Sequence, residues 1–477
     1  MTVVIDTSDD LTLDTIHRVA WNGEKCIVSD HALDAIRSRR TEFLTFVEQH
    51  ADRHLYGITT RHHIGAKSVL DADGRAEFAT RLPSTPATVG TLLPERVVRT
   101  VILSRLADVL NGTACLRPET VHRLLGMLDD DLPPVPARGN GEPGDIIPLG
   151  HLFRAQFDGT LELGEGMALI NGSPVAAASL ADAALTGRTR ITVTEHVMAL
   201  AAAAINAPLA HYAPELDAAW RDEHQAEALH NIRRLLETDD QSHQLPYQAP
   251  VSFRSGPRVV GWVRRAQAGA EECAQIALSA SSNNPIFVGP STRPPFGAIL
   301  SNGGYHNPLV APSLDSLARA WADVCQLVTA QVNRIVEDPT GLVITEPESQ
   351  ISGFYMASAG WAEEARAAAT TSLIGLGGAG QTDTGTPDLL AWRKAVDAGG
   401  ALDINLALLA VVASHTLARK RQTVPHQLAG FHERILARFP VGTTPVDFGA
   451  KLQSVVDLLR EPLDGAHTSP VSELTNA

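Results

Sequence analysis

Aromatic residues are scarce, at 5% of the chain, and apolar residues together make up 44%. A core therefore has to be filled mainly by Leu, Val, Ile and Ala, and that apolar content excludes a disordered chain. Basic residues are outnumbered, 39 against 54 acidic, for a net charge of −15. Neither a nucleic acid nor a membrane is expected as a partner of so acidic a chain, although a local basic pocket remains compatible with it. Only four cysteines occur, Cys26, Cys115, Cys273 and Cys325. They stand far apart with no CxxC pair, which signals neither a zinc ribbon nor a redox dithiol. They read as reduced cysteines of a cytoplasmic protein. The first residues, MTVVIDTSDD, are acidic and lack the basic start and apolar core of a signal peptide. The longest apolar run, within 197–205, is well short of the ~20 residues of a membrane span. A soluble protein is expected.

Common catalytic signatures are missing too: there is no P-loop, no HExxH and no GxSxG. Gly375, Gly377 and Gly380 satisfy GxGxxG, but an Ala-rich helical stretch precedes them where a dinucleotide site needs a strand. A helix end followed by a turn is expected there. His62 and His63 are adjacent, so their side chains diverge, and no third ligand stands at helical spacing. No metal site is expected. Glu346 and Glu348 read more readily as solvated loop carboxylates than as a catalytic pair.

At 477 residues the chain has room for about three ordinary cores or one large helical assembly. Residues 1–170 read as a mixed region of short β-like runs, modest helices and loops, among them Tyr56–Gly65 and the Pro- and Gly-rich stretch Pro133–Pro148. Residues 171–477 read as a domain of long helices. One is expected to begin at Ser313 as N-cap. Its seam is Leu314, Leu317, Trp321, Val324, Val328 and Ile335, at coiled-coil-like spacing, and Glu337-Asp338-Pro339 ends it. A second is expected over Tyr355–Leu376, stopping at Gly377-Gly378, and a third over Ala401–Arg421. Helices of this length pack into bundles, so the fold class is mainly α.

Eight segments, in order, resemble the aromatic amino acid ammonia-lyase family, and histidine ammonia-lyases in particular. Tyr56-Gly57 resembles the family's Tyr-Gly loop. Gly139–His151, GNGEPGDIIPLGH, resembles GSVGASGDLAPLAH with one residue fewer. Ala168–Ser173 resembles ALINGT, Ser252-Phe253-Arg254 resembles YSxRCxPQ, and Asn283-Asn284-Pro285 resembles TDNP. Ser301–His306 resembles SGGNFH, Ser352-Gly353-Phe354 resembles NSGF, and Gln381-Thr382-Asp383 resembles QED. The resemblance implies an almost wholly helical, ammonia-lyase/fumarase-like fold around a central long-helix bundle. It also implies a homotetramer with shared active sites.

The resemblance breaks at the centre of the family's chemistry. Family members make an electrophile, methylidene-imidazolone, from their own Ala-Ser-Gly backbone. The aligned residues here are Glu142-Pro143-Gly144. Pro143 has no hydroxyl to lose, fixes its own φ, and follows a charged residue where the family has a methyl group. That group is not expected to form, and no cofactor is expected. Further departures are Thr85, which follows Ser84 where histidine ammonia-lyases have His, Val251 in place of the Tyr of YSxR, and Thr382 in place of the Glu of QED. The resemblance makes Tyr56 the base that removes a β-proton, and Asn171 and Arg254 the holders of the substrate's amino-acid end. Arg254 offers a planar fork suited to a carboxylate. Tyr305 stands where the family has Phe. Together with Glu142 it would favour a cationic group, by cation–π contact and charge. His62, His63, Thr85 and Thr382 complete the expected substrate-binding set.

Two functions stay open. One is a cofactor-free carbon–nitrogen lyase acting on an amino-acid-like small molecule by 1,2-elimination, addition or cyclisation. It resembles the ergothionase type, which eliminates trimethylamine. The other is a non-catalytic oligomer of the same fold that binds a small molecule or a protein.

Overall fold

In the computed structural model, residues 2–141, 143–238, 248–337, 350–377 and 382–463 are described. Glu142, Asp338-Pro339, Glu346, Glu348, Gly378, Gly380 and Gln381 lie outside them. Helix takes 64% of the chain and strand 5%, so the protein is mainly α. Among the described residues the strands form three two-stranded ribbons: Thr2–Ile5 parallel to Lys25–Val28, Ile286–Val288 antiparallel to Ala298–Leu300, and Gly375–Leu376 antiparallel to Thr384–Gly385.

The chain folds as two compact units, each assembled from three segments. The first comprises Met1–Leu185, Gly269–Asp315 and Thr371–Arg393. The second comprises Thr186–Ala268, Ser316–Thr370 and Lys394–Ala477. Residues 1–170 thus fall wholly within the first unit, while 171–477 is shared between the two.

The long helices are where the sequence put them, with different ends. The seam residues Leu314, Leu317, Trp321, Val324, Val328 and Ile335 are all buried. Their helix, however, runs Val310–Val336. Ser313 is therefore not its N-cap but lies inside it, its hydroxyl donating to the Leu309 carbonyl at 2.7 Å. Pro312 is tolerated because the first turn has no intrahelical partner for its missing N–H.

The second helix is shorter than expected. It spans Phe354–Ala368, and Gly375-Leu376 is a strand. Ser372 binds the Asp315 carboxylate through both its N–H and its hydroxyl, which holds the chain away from a helical path.

The third helix is longer, Asp388–Lys420. It starts well before the expected Ala401 and carries the Gly399-Gly400 pair within it. A Cβ at Gly399 would lie 2.6 Å from the Arg190 guanidinium, which passes there to grip Asp403 at 2.7 and 3.1 Å.

Two stretches, Glu165–Ala204 and Asp388–Lys420, are long and apolar enough to cross a membrane by length and composition. The sequence reading, based on unbroken apolar runs, did not register them. In the most apolar 18-residue window of each, 94% and 78% of the residues are buried within the protein, as in core helices. The four cysteines are free thiols, three of them buried. Burial pushes Cys26, Cys115 and Cys325 up to about 12, so none is primed as a nucleophile.

Candidate active site

In the first unit, the residues picked out by sequence gather around the turn that joins the short helix Glu165–Ile170 to the long helix Pro174–Ala204. Asn171 ends the short helix and is 5% exposed. Tyr56 reaches the same region through its neighbour. Gly57 has φ +68°, and a Cβ there would lie 2.7 Å from the Met167 side chain, one turn before Asn171. Only glycine allows both that backbone and that approach. The Ile58, Thr59 and Thr60 N–H groups all converge on the Leu55 carbonyl, so half-buried Tyr56 sits in a closed turn.

Pro143, Gly144 and Asp145 are buried against the same turn. The Asp145 N–H donates to the Gly172 carbonyl at 3.0 Å. Its Oδ2 accepts from the Val175 and Ala176 N–H groups at 2.8 and 3.2 Å, at the positive end of the long helix. Gly144 has φ +73°, and a Cβ on it would meet the Gly172 carbonyl at 3.1 Å and the Tyr305 Cβ at 3.3 Å. Pro143-Gly144 is thus flanked by the Asn171-Gly172 turn on one side and Tyr305 on the other. Tyr305 is held by its own loop: Asn302 accepts from Gly304 N–H, and donates to the Asn283 carbonyl at 3.2 Å.

Beneath this turn lies a buried charge cluster that the sequence reading missed. Arg105 is fully buried in the helix Glu95–Leu110. It binds Asp108 and donates to the Asn171 carbonyl at 3.3 Å. Asp108 accepts the Ser282 and Asn283 N–H groups at 2.6 and 2.9 Å. Asn171 and the Tyr305 loop thus share a single ionic support. The signal was available, since Arg105 and Asp108 stand three apart among Val101, Ile102, Leu103, Leu106, Ala107, Val109 and Leu110 of that helix.

Asp145 and Asp388 belong to the same unit and are also buried. Burial raises the Asp145 carboxyl to about 7, with the Asp388 charge adding to the effect; the Ala176 and Val175 N–H groups and Arg105 oppose it. Burial likewise raises Asp388 to about 7. The Thr386 hydroxyl and the Ala311 N–H approach the Asp388 carboxyl, but neither satisfies either oxygen with good geometry.

The remaining residues are more scattered. Ser84 is buried with its hydroxyl on the Ile146 carbonyl at 2.8 Å, and Thr85 beside it is exposed. His62 stacks on Phe78, centroids 6.2 Å apart. His63 begins the short helix His63–Lys67. Thr382 is half-buried, two residues before the strand Thr384–Gly385. Glu142 is not among the described residues.

Arg254 lies in the second unit at the end of a single helical turn, Val251–Arg254. Its Nε donates to the Ala249 carbonyl at 2.9 Å, while its Nη1 and Nη2 have no hydrogen-bond partner among the described residues. That leaves the two-pronged edge of the guanidinium available to a carboxylate. Val251 is 66% exposed.

The triplet does not fit a methylidene-imidazolone. Closing that ring and opening its double bond takes an amide hydrogen and a side-chain hydroxyl from the middle residue, and Pro143 has neither.

Among known proteins, the histidine ammonia-lyase of Streptococcus pyogenes serotype M18 is 26% identical over 367 residues, 70% of each chain. Two solved structures share the fold. Histidine ammonia-lyase from Trypanosoma cruzi superposes with a TM-score of 0.84 at 20% identity, covering 96% of this chain and 93% of the other. Ergothionase from Treponema denticola, in complex with desmethyl-ergothioneine sulfonic acid, gives 0.86 at 16%, covering 97% and 100%. Residues 11–159 and 157–437 match the family described as aromatic amino acid lyase, and the chain belongs to that family.

Proposed function

We propose that this protein is a carbon–nitrogen lyase that works without methylidene-imidazolone, on an amino-acid-derived carboxylate whose nitrogen is already a good leaving group. The observation that carries the reading is Pro143, buried where the relatives place the serine that becomes their electrophile. Without that electron sink a primary amine leaves poorly. A quaternary ammonium needs no such help, because it departs as a neutral tertiary amine such as trimethylamine. In the step, the Tyr56 phenolate takes the β-proton. The C–H electrons form the α,β double bond, and the C–N pair leaves with the amine. The products are an unsaturated acid, a tertiary amine and a protonated Tyr56. Arg254 supplies the fork for the carboxylate, Asn171 holds the amino-acid end, and Tyr305 offers a ring face to the cationic group. Likeness to ergothionase in fold supports this direction. A homotetramer in the cytoplasm, acting on a small molecule with no added cofactor, is part of the same reading.

Loss of the family residues at Thr85, Val251 and Thr382 favours a second reading, a non-catalytic oligomer that binds a small carboxylate. A panel of α-trimethylammonium acids, followed by ultraviolet absorbance for an unsaturated acid, separates the two. Turnover in the wild type and its loss in Tyr56→Phe is the expected result. An intact mass lower than that of the sequence by two waters, localised near residue 143, would overturn the cofactor-free reading. So would equal turnover by Tyr56→Phe for the base.

A further inference from the structure

Two consecutive side chains, His211 and Tyr212, grip the short segment that carries Arg254. They end the helical turn Leu209–Tyr212. The His211 Nε2 accepts the Ala249 N–H at 3.0 Å, and the Tyr212 hydroxyl donates to the Phe253 carbonyl at 3.2 Å. Gln331, itself 1% exposed, donates to the Ser252 carbonyl at 2.9 Å. Arg233 in turn fixes Tyr212 through its carbonyl at 3.0 Å. Within this cradle the Ala249 backbone is held on both sides of its Cα, its N–H by His211 and its carbonyl by Arg254 Nε.

The tautomer follows from the geometry. A backbone N–H only donates, so Nε2 is the bare nitrogen and the proton sits on Nδ1. Burial, followed by the Arg254 charge, holds the His211 pKa below its ordinary value, which keeps the ring neutral and able to accept.

We infer that His211 is a positioning residue: by fixing the Ala249 peptide it orients the Arg254 guanidinium, spending Nε on a protein carbonyl and presenting both Nη groups to a ligand carboxylate. This rests on the reading of Arg254 as the carboxylate anchor. A guanidinium on a long stem loses rotamer freedom when it binds, and a fixed Nε removes part of that cost beforehand. Nothing in the Ser-Phe-Arg motif reveals His211, which stands far upstream of it in sequence.

The test uses acetate as the simplest carboxylate and p-hydroxyphenylglyoxal as a reagent for free guanidinium edges, read by peptide mass spectrometry at Arg254 in the full-length protein. Acetate is expected to protect Arg254 in the wild type. In His211→Ala and His211→Asn the acetate needed for half-protection should rise roughly three- to tenfold, the range for one preordered side chain. Asn is too short to reach the Ala249 N–H. Gln places its oxygen near the Nε2 position, so His211→Gln should return the wild-type value. Melting temperature is recorded for each variant. Should the Ala variant not fold, the Asn and Gln pair decides alone. A role in stability only would shift melting while leaving half-protection unchanged, and that result overturns the proposal. Equal half-protection in Asn and Gln variants overturns it as well. Failure of acetate to protect wild-type Arg254 would instead remove the carboxylate reading, and the proposal with it.

Discussion

The sharpest prediction concerns Asp388→Asn. A carboxyl displaced from 3.8 to about 7 by burial costs roughly 4 kcal/mol when it is forced to ionise in the folded state. Relaxation and water penetration lower that figure, so about 1–3 kcal/mol is a working range. One effect opposes it: a negative charge at a helix start is worth about 0.3–1 kcal/mol. Desolvation is the larger effect, so removing the charge should stabilise the protein wherever Asp388 would be ionised. The pH window follows from the direction of the shift. Below about 4 both folded and unfolded chains hold the proton, and the substitution should be neutral. Between about 4 and 7 the unfolded chain releases the proton and the folded chain keeps it, so the wild type loses stability as pH rises. Above 7 the loss is complete. For a chain of this length a kcal/mol corresponds to about 1 °C of melting temperature. Scanning calorimetry should therefore show wild type and variant melting together at pH 4, and the variant about 1–3 °C higher at pH 8. The Asp388 charge also raises Asp145, so the variant's own melting curve should be flatter with pH. A variant that melts at or below the wild type at pH 8, or that differs equally at both pH values, would refute the assignment of Asp388 as a desolvated carboxyl.

Two further substitutions probe the framework. Gly144→Ala places a Cβ on a left-handed residue and against the Gly172 carbonyl. It should cost about 1–3 kcal/mol and abolish any turnover, as measured by melting and by the absorbance assay. Asp403→Ala strands Arg190, whose side chain is 9% exposed and whose guanidinium donates to Asp403 at 2.7 and 3.1 Å. A loss of about 3–5 kcal/mol is expected in urea denaturation, and Asp403→Asn should recover part of it.

Helix positions were legible in the sequence because apolar spacing survives folding directly, as at Leu314, Leu317 and Trp321, all buried. Helix ends were less legible, because each was decided by a partner distant in sequence. Asp315 captures Ser372 and shortens one helix. Arg190 crosses at Gly399 and lets another run through a glycine pair. Ser313 satisfies its hydroxyl on the Leu309 carbonyl, just before the helix, which no local capping rule distinguishes from an N-cap. The assembly of each unit from three separated segments was similarly beyond reach, since linear composition registers a change near residue 170 but not which segments return to pack together.

For the candidate site the balance is different. Tyr56, Asn171, Tyr305 and Pro143-Gly144 came from motifs, and in the first unit they share one neighbourhood through Met167 and Gly172. What the motifs left out is the support: in the first unit Arg105 and Asp108 beneath the turn and Asp145 on the helix start, and separately, in the second unit, His211 behind Arg254. Each acts through backbone carbonyls and N–H groups, and such contacts leave no pattern in side-chain identity. The contrast bears on Pro143. On the proposed reading, the network that binds the Asp145 N–H, both N–H groups of the helix start and the Asn171 carbonyl keeps a substrate pocket in place while Pro143 removes the serine chemistry. If the scaffold were all that mattered, nothing would require a glycine at 144 wedged between Gly172 and Tyr305, since a plain connecting loop has no need of so close an approach. The proposed function assigns that approach to a pocket that holds a substrate, with departure resting on the substrate's own leaving group rather than on an electrophile made by the protein.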